Sequence, residues 1–484
     1  MRRSILFVRL VVLATAFASV LAFAGPAAAG RYVVLFKHDR DAATGPAQAA
    51  VEGAGGSLVA AYPEIGVAIA ESTDPGFGPA LDRLRAVEGV AATGGGGPAG
   101  GSWDGVPPGL PNAPAADADT FSPLQWWAQR IRAPEAHAVT GGSPEVTVGV
   151  IDTGVDASHP DLDGNVDVSR SVSCVGGAPN GDPAAWNDDS GHGTNVAGVI
   201  AAEADGRGIV GIAPNVELAV IKASVRVGTS DLFLPEAVIC SFVWAANNGV
   251  DVANNSYSLD SALSGGTTSL CKADDAQRTV IEAVRRAVAY AQRRDVSVVA
   301  SAGNDGRDLA QLAEEGCMRL PSQAPGVVTV SSVGLLDALA AGPPSNYGLR
   351  HVTVAAPGGD FMQGVPPAGL VLGPWPASMQ VPRLLCDPCT GPDAAFYRFF
   401  AGTSQAAAQV SGVAALVVSR YGRDRGPWSG KMEPKRVAVV LKLTADPLPC
   451  PADERCVTDG NLTSFYGRGV VDAHRAVTFL GRDG

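Results

Sequence analysis

Val150-Ile151-Asp152-Thr153-Gly154, Ser190-Gly191-His192-Gly193-Thr194 and Gly402-Thr403-Ser404-Gln405-Ala406-Ala407 are the stretches on which the reading of this chain turns. Each sets one reactive polar residue, braced by glycine or a small hydroxyl residue, beside an apolar run. In chain order they give Asp, His, Ser. A carboxylate directly after an all-apolar strand is costly to bury unless it has a partner. A neutral imidazole near its ordinary pKa accepts a proton at working pH. A serine at the start of a helix sits among free backbone N–H groups that favour developing negative charge. Alone, Ser404 would be read as a helix cap. With the other two stretches it is read as a nucleophile, His192 as its base and Asp152 as the residue that orients the base.

Working outward, apolar strands are predicted at 146–151, 216–223, 250–253, 296–300, 327–333 and 352–355. Their near-continuous Val, Ile and Ala content marks strands buried on both faces, hence a parallel sheet. Helices are predicted between them at 195–203, 235–247, 276–293 and 404–421. The expected fold is α/β, a doubly wound parallel sheet, which places chemistry at the carboxyl ends of its strands. Asp152 and Asn304 both follow such a strand. Asp156 rivals Asp152 by proximity alone.

Ahead of this sheet, residues 30–93 read as a small α+β unit. Strands are expected at 32–36, 56–59 and 67–70, and helices at 43–54 and 77–86. Two strand-helix-strand halves suggest a ferredoxin-like arrangement. Residues 94–120 are rich in Gly, Pro, Ala and Asp without periodicity and read as an accessible linker. Residues 1–29 read as an export signal: Arg2, Arg3 and Arg9, then an apolar stretch too short to span a bilayer, then Ala27-Ala28-Ala29. The signal implies a secreted, extracellular protein with no membrane partner once it is removed.

The formal charge of −12 excludes nucleic acid as a natural partner, because no basic patch offsets phosphate repulsion. Eight cysteines in an exported chain are expected to pair. Cys450 with Cys456 and Cys386 with Cys389 would close small loops, leaving Cys174 with Cys240 and Cys271 with Cys317. Histidines 38, 137 and 474 read as surface residues. Gly206-Arg207-Gly208-Ile209-Val210-Gly211 fits a dinucleotide fingerprint but follows a helix instead of a strand, and is rejected.

The three blocks, in the order Asp, His, Ser, resemble the subtilisin-like serine proteases (subtilases), from about Trp126 to Val477. The resemblance implies a subtilisin-like catalytic domain over 121–484, and that residues 30–93 are a propeptide: a folding template and intramolecular inhibitor removed at a maturation site in the 94–120 linker. It implies that Asn304, in Ser301-Ala302-Gly303-Asn304, is a side-chain oxyanion donor. It places substrate along Ser256-Tyr257-Ser258, with Ser301, Ala302 and Gly303 as the opposite wall. Relatives carry glycine where Ser258 stands, so a side chain there crowds or polarises the slot for the residue before the cut. An extended peptide would pair with these backbones as an added strand. No cofactor is required for the chemistry, and Asp161 and Asp205 match calcium-ligand positions, a structural ion suited to oxygen donors. The implied product is a monomeric secreted serine endopeptidase acting on peptides or proteins. The departures at Asn195, Ser258, Ala408 and Gln409 motivate one alternative, a catalytically weak binding protein on the same frame; a narrow-specificity precursor-processing protease is a second alternative. The stretch 358–401 is longer than usual and is expected to alter access to the cleft.

Overall fold

The computed structural model describes residues 30–93, 102–103, 119–259, 269–362, 369–379, 381, 384–422 and 431–479. The expected signal and most of the linker lie outside them. Residues 30–93 run β1 (Gly30–Phe36), α1 (Thr44–Gly53), β2 (Ser57–Tyr62), β3 (Val67–Ser72), α2 (Phe77–Asp82) and β4 (Val87–Thr93). The sheet is antiparallel in the order β2-β3-β1-β4, which is what a β-α-β-β-α-β unit produces. The α2 helix stops at Asp82, short of the predicted 86. The fourth strand begins at Val87, which is buried, so the chain must turn before it.

The larger unit is built on a sheet of seven strands. In chain order they are β5 (Thr147–Asp152), β6 (Val172–Ser173), β7 (Glu217–Lys222), β10 (Val252–Asn255), β11 (Ser297–Ser301), β12 (Val328–Val333) and β13 (Val354–Pro357). Between β7 and β10 lies a hairpin, β8 (Ser224–Val227) and β9 (Ser230–Phe233). The spatial order is β13-β12-β11-β10-β5-β7-β6, every pair parallel. β5, β10, β11, β12 and β13 are buried at every position, as a sheet covered on both faces requires.

Four long helices cover the sheet: α3 (His192–Ala201), α4 (Pro235–Asn247), α5 (Asp275–Arg293) and α6 (Thr403–Tyr421), with α7 (Pro434–Thr444) beside α6. Residues 403–418 of α6 are all buried, the pattern of a helix enclosed in the core. The α3 helix begins three residues before the predicted 195, so His192 stands in its first turn, and it ends at Ala201. The two apolar clusters divide by sheet face, with α3, α6 and α7 in one and α4 and α5 in the other.

The N-terminal sheet lies on α4 and α5, sharing their cluster through Val33, Leu35, Ile69 and Ala91. Arg286 of α5 donates to the Phe36 carbonyl at 3.0 Å and pairs with Glu88 at 2.7 Å. Tyr62 donates to the Gly177 carbonyl at 2.6 Å, and Arg31 to that of Gly176. The cysteines join as Cys174–Cys240, Cys271–Cys317, Cys386–Cys389 and Cys450–Cys456. Within the described part of the linker, Ser102–Trp103 pairs with the inserted strand Phe396–Phe400, where the sequence reading expects no strand. His137 and His474 are half-buried, not surface residues, bonded respectively to the Ile212 carbonyl and to Arg132. Among the described residues no helix is long and apolar enough to cross a membrane.

Candidate active site

The site forms at the carboxyl end of the sheet. Asp152 closes β5 and is fully buried. Its Oδ1 accepts the Thr153 N–H at 2.8 Å and lies 2.7 Å from His192 Nδ1. That contact fixes the imidazole with Nε2 turned away from the carboxylate. The glycines around His192 have separate tasks. Gly191 holds a left-handed φ of 87° where α3 starts. A Cβ on Gly193 would overlap the Gly154 carbonyl, so only glycine lets α3 approach the turn after β5 this closely.

Burial opposes the charged form of His192 more than any other single effect. The summed attraction of Asp152, Asp231 and Asp188 outweighs it and raises the imidazole to about 9. Asp231, on the β8–β9 hairpin, is held by Arg226 at 2.8 Å and accepts the Ser190 hydroxyl at 2.6 Å.

Asp188 is the hub of this corner. Its Oδ1 accepts from Thr153 Oγ1, Ser190 N and Gly191 N, each at 2.9 Å. Its Oδ2 accepts from Thr194 N at 3.0 Å and Thr194 Oγ1 at 2.6 Å. Lys222, opposite Asp152 in the sheet, donates to the carbonyls of Thr153 and Asn187 and pairs with Asp189 at 2.7 Å. Asp156 takes no part in the His192 contact; its carboxylate caps Ser158.

Ser404 is the second residue of α6, with its N–H in the unpaired first turn. Its hydroxyl donates to the Ser256 carbonyl at 2.9 Å, and Ser256 Oγ donates back to the Ser404 carbonyl at 2.9 Å. Among the described residues Ser404 has no hydrogen bond to His192; catalytic contacts often tighten only when substrate is present. Asn304 Oδ1 accepts Thr403 N at 2.9 Å and Thr403 Oγ1 at 3.0 Å. This turns its amide nitrogen, which has no hydrogen bond among the described residues, to the other side.

Residues that depart from the family pattern are tied into this frame. Asn195 Oδ1 accepts from Gln405 Nε2 at 3.2 Å, which links the first turn of α3 to that of α6. Gln409 donates to the Pro357 carbonyl, and Ala408 is buried beside it. The walls expected for substrate follow β10 and end β11. Tyr257 turns inward from its wall, stacks on Phe233 with centroids 4.2 Å apart and donates to Asn255 at 2.9 Å. Ser258 Oγ receives a hydrogen bond at 2.6 Å from Arg319, a residue that sequence reasoning had not singled out. Ala302 is buried, and Gly303 N donates to Thr403 Oγ1 at 3.1 Å.

The long stretch before Ser404 forms an antiparallel sheet of its own, β14 (Val371–Trp375) with β15 (Phe396–Phe400). It reaches the site directly: the Phe400 ring stands edge-on to His192 with centroids 6.4 Å apart, and Trp375 stacks on Phe400.

The two expected calcium ligands come together and a third carboxylate joins them. Asp119, Asp161 and Asp205 each bring an oxygen within 4.8 Å of the others. Asp161 is buried, which pushes its carboxyl well above the usual range, and its Oδ1 has no hydrogen bond among the described residues. Asp205 is also held by Arg207 at 2.8 Å. A buried carboxylate oxygen lacking a donor, facing two further carboxylates, fits a hard cation such as calcium.

The profile described as the Subtilase family matches residues 143–469. The chain is 32% identical over 371 residues to a thermophilic serine proteinase of Bacillus sp. (strain AK1), covering 76% of this chain and 71% of that one. The crystal structure of a lanthipeptide protease is similar with a TM-score of 0.58 at 27% identity, over 74% of this chain and 95% of that one. The epidermin leader peptide processing serine protease of Staphylococcus aureus shares the fold with a TM-score of 0.68 at 23% identity, over 94% of this chain and 100% of that one.

Proposed function

We propose, on the premise that this chain belongs to the subtilase family and is a subtilisin-like serine peptidase, that Asp152, His192 and Ser404 are its catalytic triad and that it is made as a secreted, self-processing zymogen. The observation that carries the triad is the 2.7 Å contact between His192 Nδ1 and the buried Asp152 carboxylate, on a helix tied through Asn195 and Gln405 to the helix that begins at Ser404. Ser404 Oγ attacks the peptide carbonyl as His192 Nε2 takes its proton. The oxyanion is met by the Ser404 N–H and the amide of Asn304. The imidazolium then gives its proton to the leaving amine, and an ester to Ser404 remains. Water, deprotonated by the same imidazole, hydrolyses that ester and restores the serine. Asp152 keeps its charge throughout and stabilises the imidazolium.

The zymogen reading rests on residues 30–93, a folded unit joined to α4 and α5 by polar contacts and shared apolar surface, followed by a linker rich in glycine and proline. Residues 1–29 would direct export. Asp119, Asp161 and Asp205 would hold a structural calcium, which ties the 119 segment to the Asp161 turn and to the turn after α3 and takes no part in bond breaking.

Intact mass before and after a fluorophosphonate probe tests the whole. Wild type should lose its N-terminal unit and gain one adduct, while Ser404→Ala should do neither. A Ser404→Ala protein with full peptidase activity would sink the assignment. A narrow, precursor-processing role is favoured by the likeness to a lanthipeptide protease at 27% identity, and one dominant cleavage motif on a peptide library would support it. The weak-binder reading loses its motive at Asn195 and Gln409, since both side chains are engaged in holding α6.

A further inference from the structure

Arg319 is a charged residue whose side chain is 6% exposed, in a position the triad chemistry does not use. It arises just after the short pairing of Cys317–Met318 with Leu270–Cys271. The backbone on either side is pinned: Arg319 N–H donates to Gln323 Oε1 at 2.8 Å, and the Leu320 carbonyl accepts the Leu259 N–H at 2.9 Å. The side chain then runs between the two walls that the resemblance assigns to substrate. On one wall its Nε donates to Ser258 Oγ at 2.6 Å. On the other it presses on Gly303, where a Cβ would overlap the guanidinium. Beyond that, Arg319 pairs with Asp305, next in sequence to Asn304.

We propose that Arg319 is a specificity-determining residue: its guanidinium, clamped by Ser258 and Asp305, fills the slot for the residue before the cut and restricts cleavage to bonds that follow glycine, alanine or serine. The inference rests on the protease reading of the same cleft. A leucine or phenylalanine side chain entering between Ser258 and Gly303 must displace a buried guanidinium from Ser258 and from Asp305, whose own side chain is 38% exposed, and a buried charge parted from its partners is costly. An acidic side chain gains little, because the arginine charge is already matched and the newcomer would stand beside the Asp305 carboxylate. A basic side chain meets the arginine itself. Residues 94–101, at the start of the linker expected to hold the maturation site, consist of glycine, proline and alanine alone, so a cut there also follows a small residue or proline.

The test uses the matured enzyme and quenched peptides identical except for Gly, Ala, Ser, Leu, Phe, Glu or Lys before the cut. Wild type should cleave after alanine at least about tenfold better in kcat/KM than after leucine or phenylalanine, the discrimination a filled pocket commonly provides. Arg319→Gly should raise cleavage after phenylalanine by at least about tenfold relative to alanine. Wild type that labels with a fluorophosphonate yet prefers Leu, Phe, Glu or Lys overturns the plug and leaves the triad standing. A folded wild type that neither labels nor cleaves overturns both. If Arg319→Gly fails to fold, the wild-type profile alone still decides. An Arg319→Gly enzyme with an unchanged profile refutes the role of the arginine.

Discussion

Replacing Asp188 by asparagine isolates what holds His192 in place. The side chain keeps its size and loses its charge. Of the five hydrogen bonds that converge on Asp188, three reach Oδ1 and two reach Oδ2. The best placement of an asparagine keeps its oxygen at the Oδ1 position and turns its NH2 toward Thr194. Thr194 Oγ1 can rotate to accept that NH2, but the Thr194 N–H is left without an acceptor in the interior. One orphaned buried amide costs about 1–3 kcal/mol. The three surviving bonds change from charged to neutral acceptors and lose about 1 kcal/mol each. Part of this is returned, because burial already pushes the Asp188 carboxyl upward and a neutral amide is cheaper to bury. The net expectation is a loss of about 2–4 kcal/mol.

The same bonds set the entry of α3, since Ser190 N and Gly191 N precede His192 and Thr194 N follows it. A displacement of about 1 Å at the imidazole costs on the order of a hundredfold in turnover. Unfolding in urea should be measured in a Ser404→Ala background, which removes self-digestion, and kcat in the otherwise intact enzyme. A stability change under about 0.5 kcal/mol would refute the energetic reasoning. A clear stability loss with unchanged kcat would refute the claim that Asp188 positions the base.

Asn304→Ala should lower kcat by about 100- to 1,000-fold with little change in KM, the size the handling of an oxyanion by one side-chain amide carries in subtilisin; steady-state kinetics decides it. Because His192 acts only when neutral and its conjugate acid lies near 9, kcat/KM should climb as pH rises through that value and level off above it. Asp231→Asn removes an anion that favours the imidazolium, so the same limb should move to lower pH and activity at pH 7 should rise; a limb that stays in place refutes the coupling. Calcium at a hundred times its dissociation constant should add about 2.7 kcal/mol of stability, seen as a melting temperature that falls on chelation, and Asp161→Asn should abolish that difference.

The architecture could be read because its strands announce themselves. β5, β10, β11, β12 and β13 are buried at every residue, and that condition leaves an unbroken Val, Ile and Ala signature that needs no partner to interpret. The helices α4, α5 and α6 were predicted to within a residue at each end. What escaped was structure defined by pairing. β6 has two residues and exists only because β7 lies beside it, and although β15 is a run of strand formers, its partner β14 holds Gly373 and Pro374, which read locally as a turn.

The site divides along the same line, and Arg319 shows why. Asp152, His192 and Ser404 stand in segments whose backbone is constrained where they sit: the left-handed turn at Gly191, the contact of Gly193 with the Gly154 carbonyl, and the unpaired first turn at Ser404. Such constraints select glycine and small hydroxyl residues at adjacent positions, so they are visible in a handful of letters. Arg319, Lys222, Asp188 and Asp119 act through the far ends of their side chains. Arg319 meets Ser258 across 61 residues, and Lys222 meets Thr153 across 69. No neighbouring residue has to change to accommodate those reaches, and Cys317-Met318-Arg319-Leu320 reads as an ordinary loop. The chemistry of this protein is therefore written locally. The residues that aim the base, join the cation cluster and shape the slot before the cut are specified only by the closed fold, and substitutions at those positions should change pH response, stability and cleavage preference while the three reactive stretches stay intact.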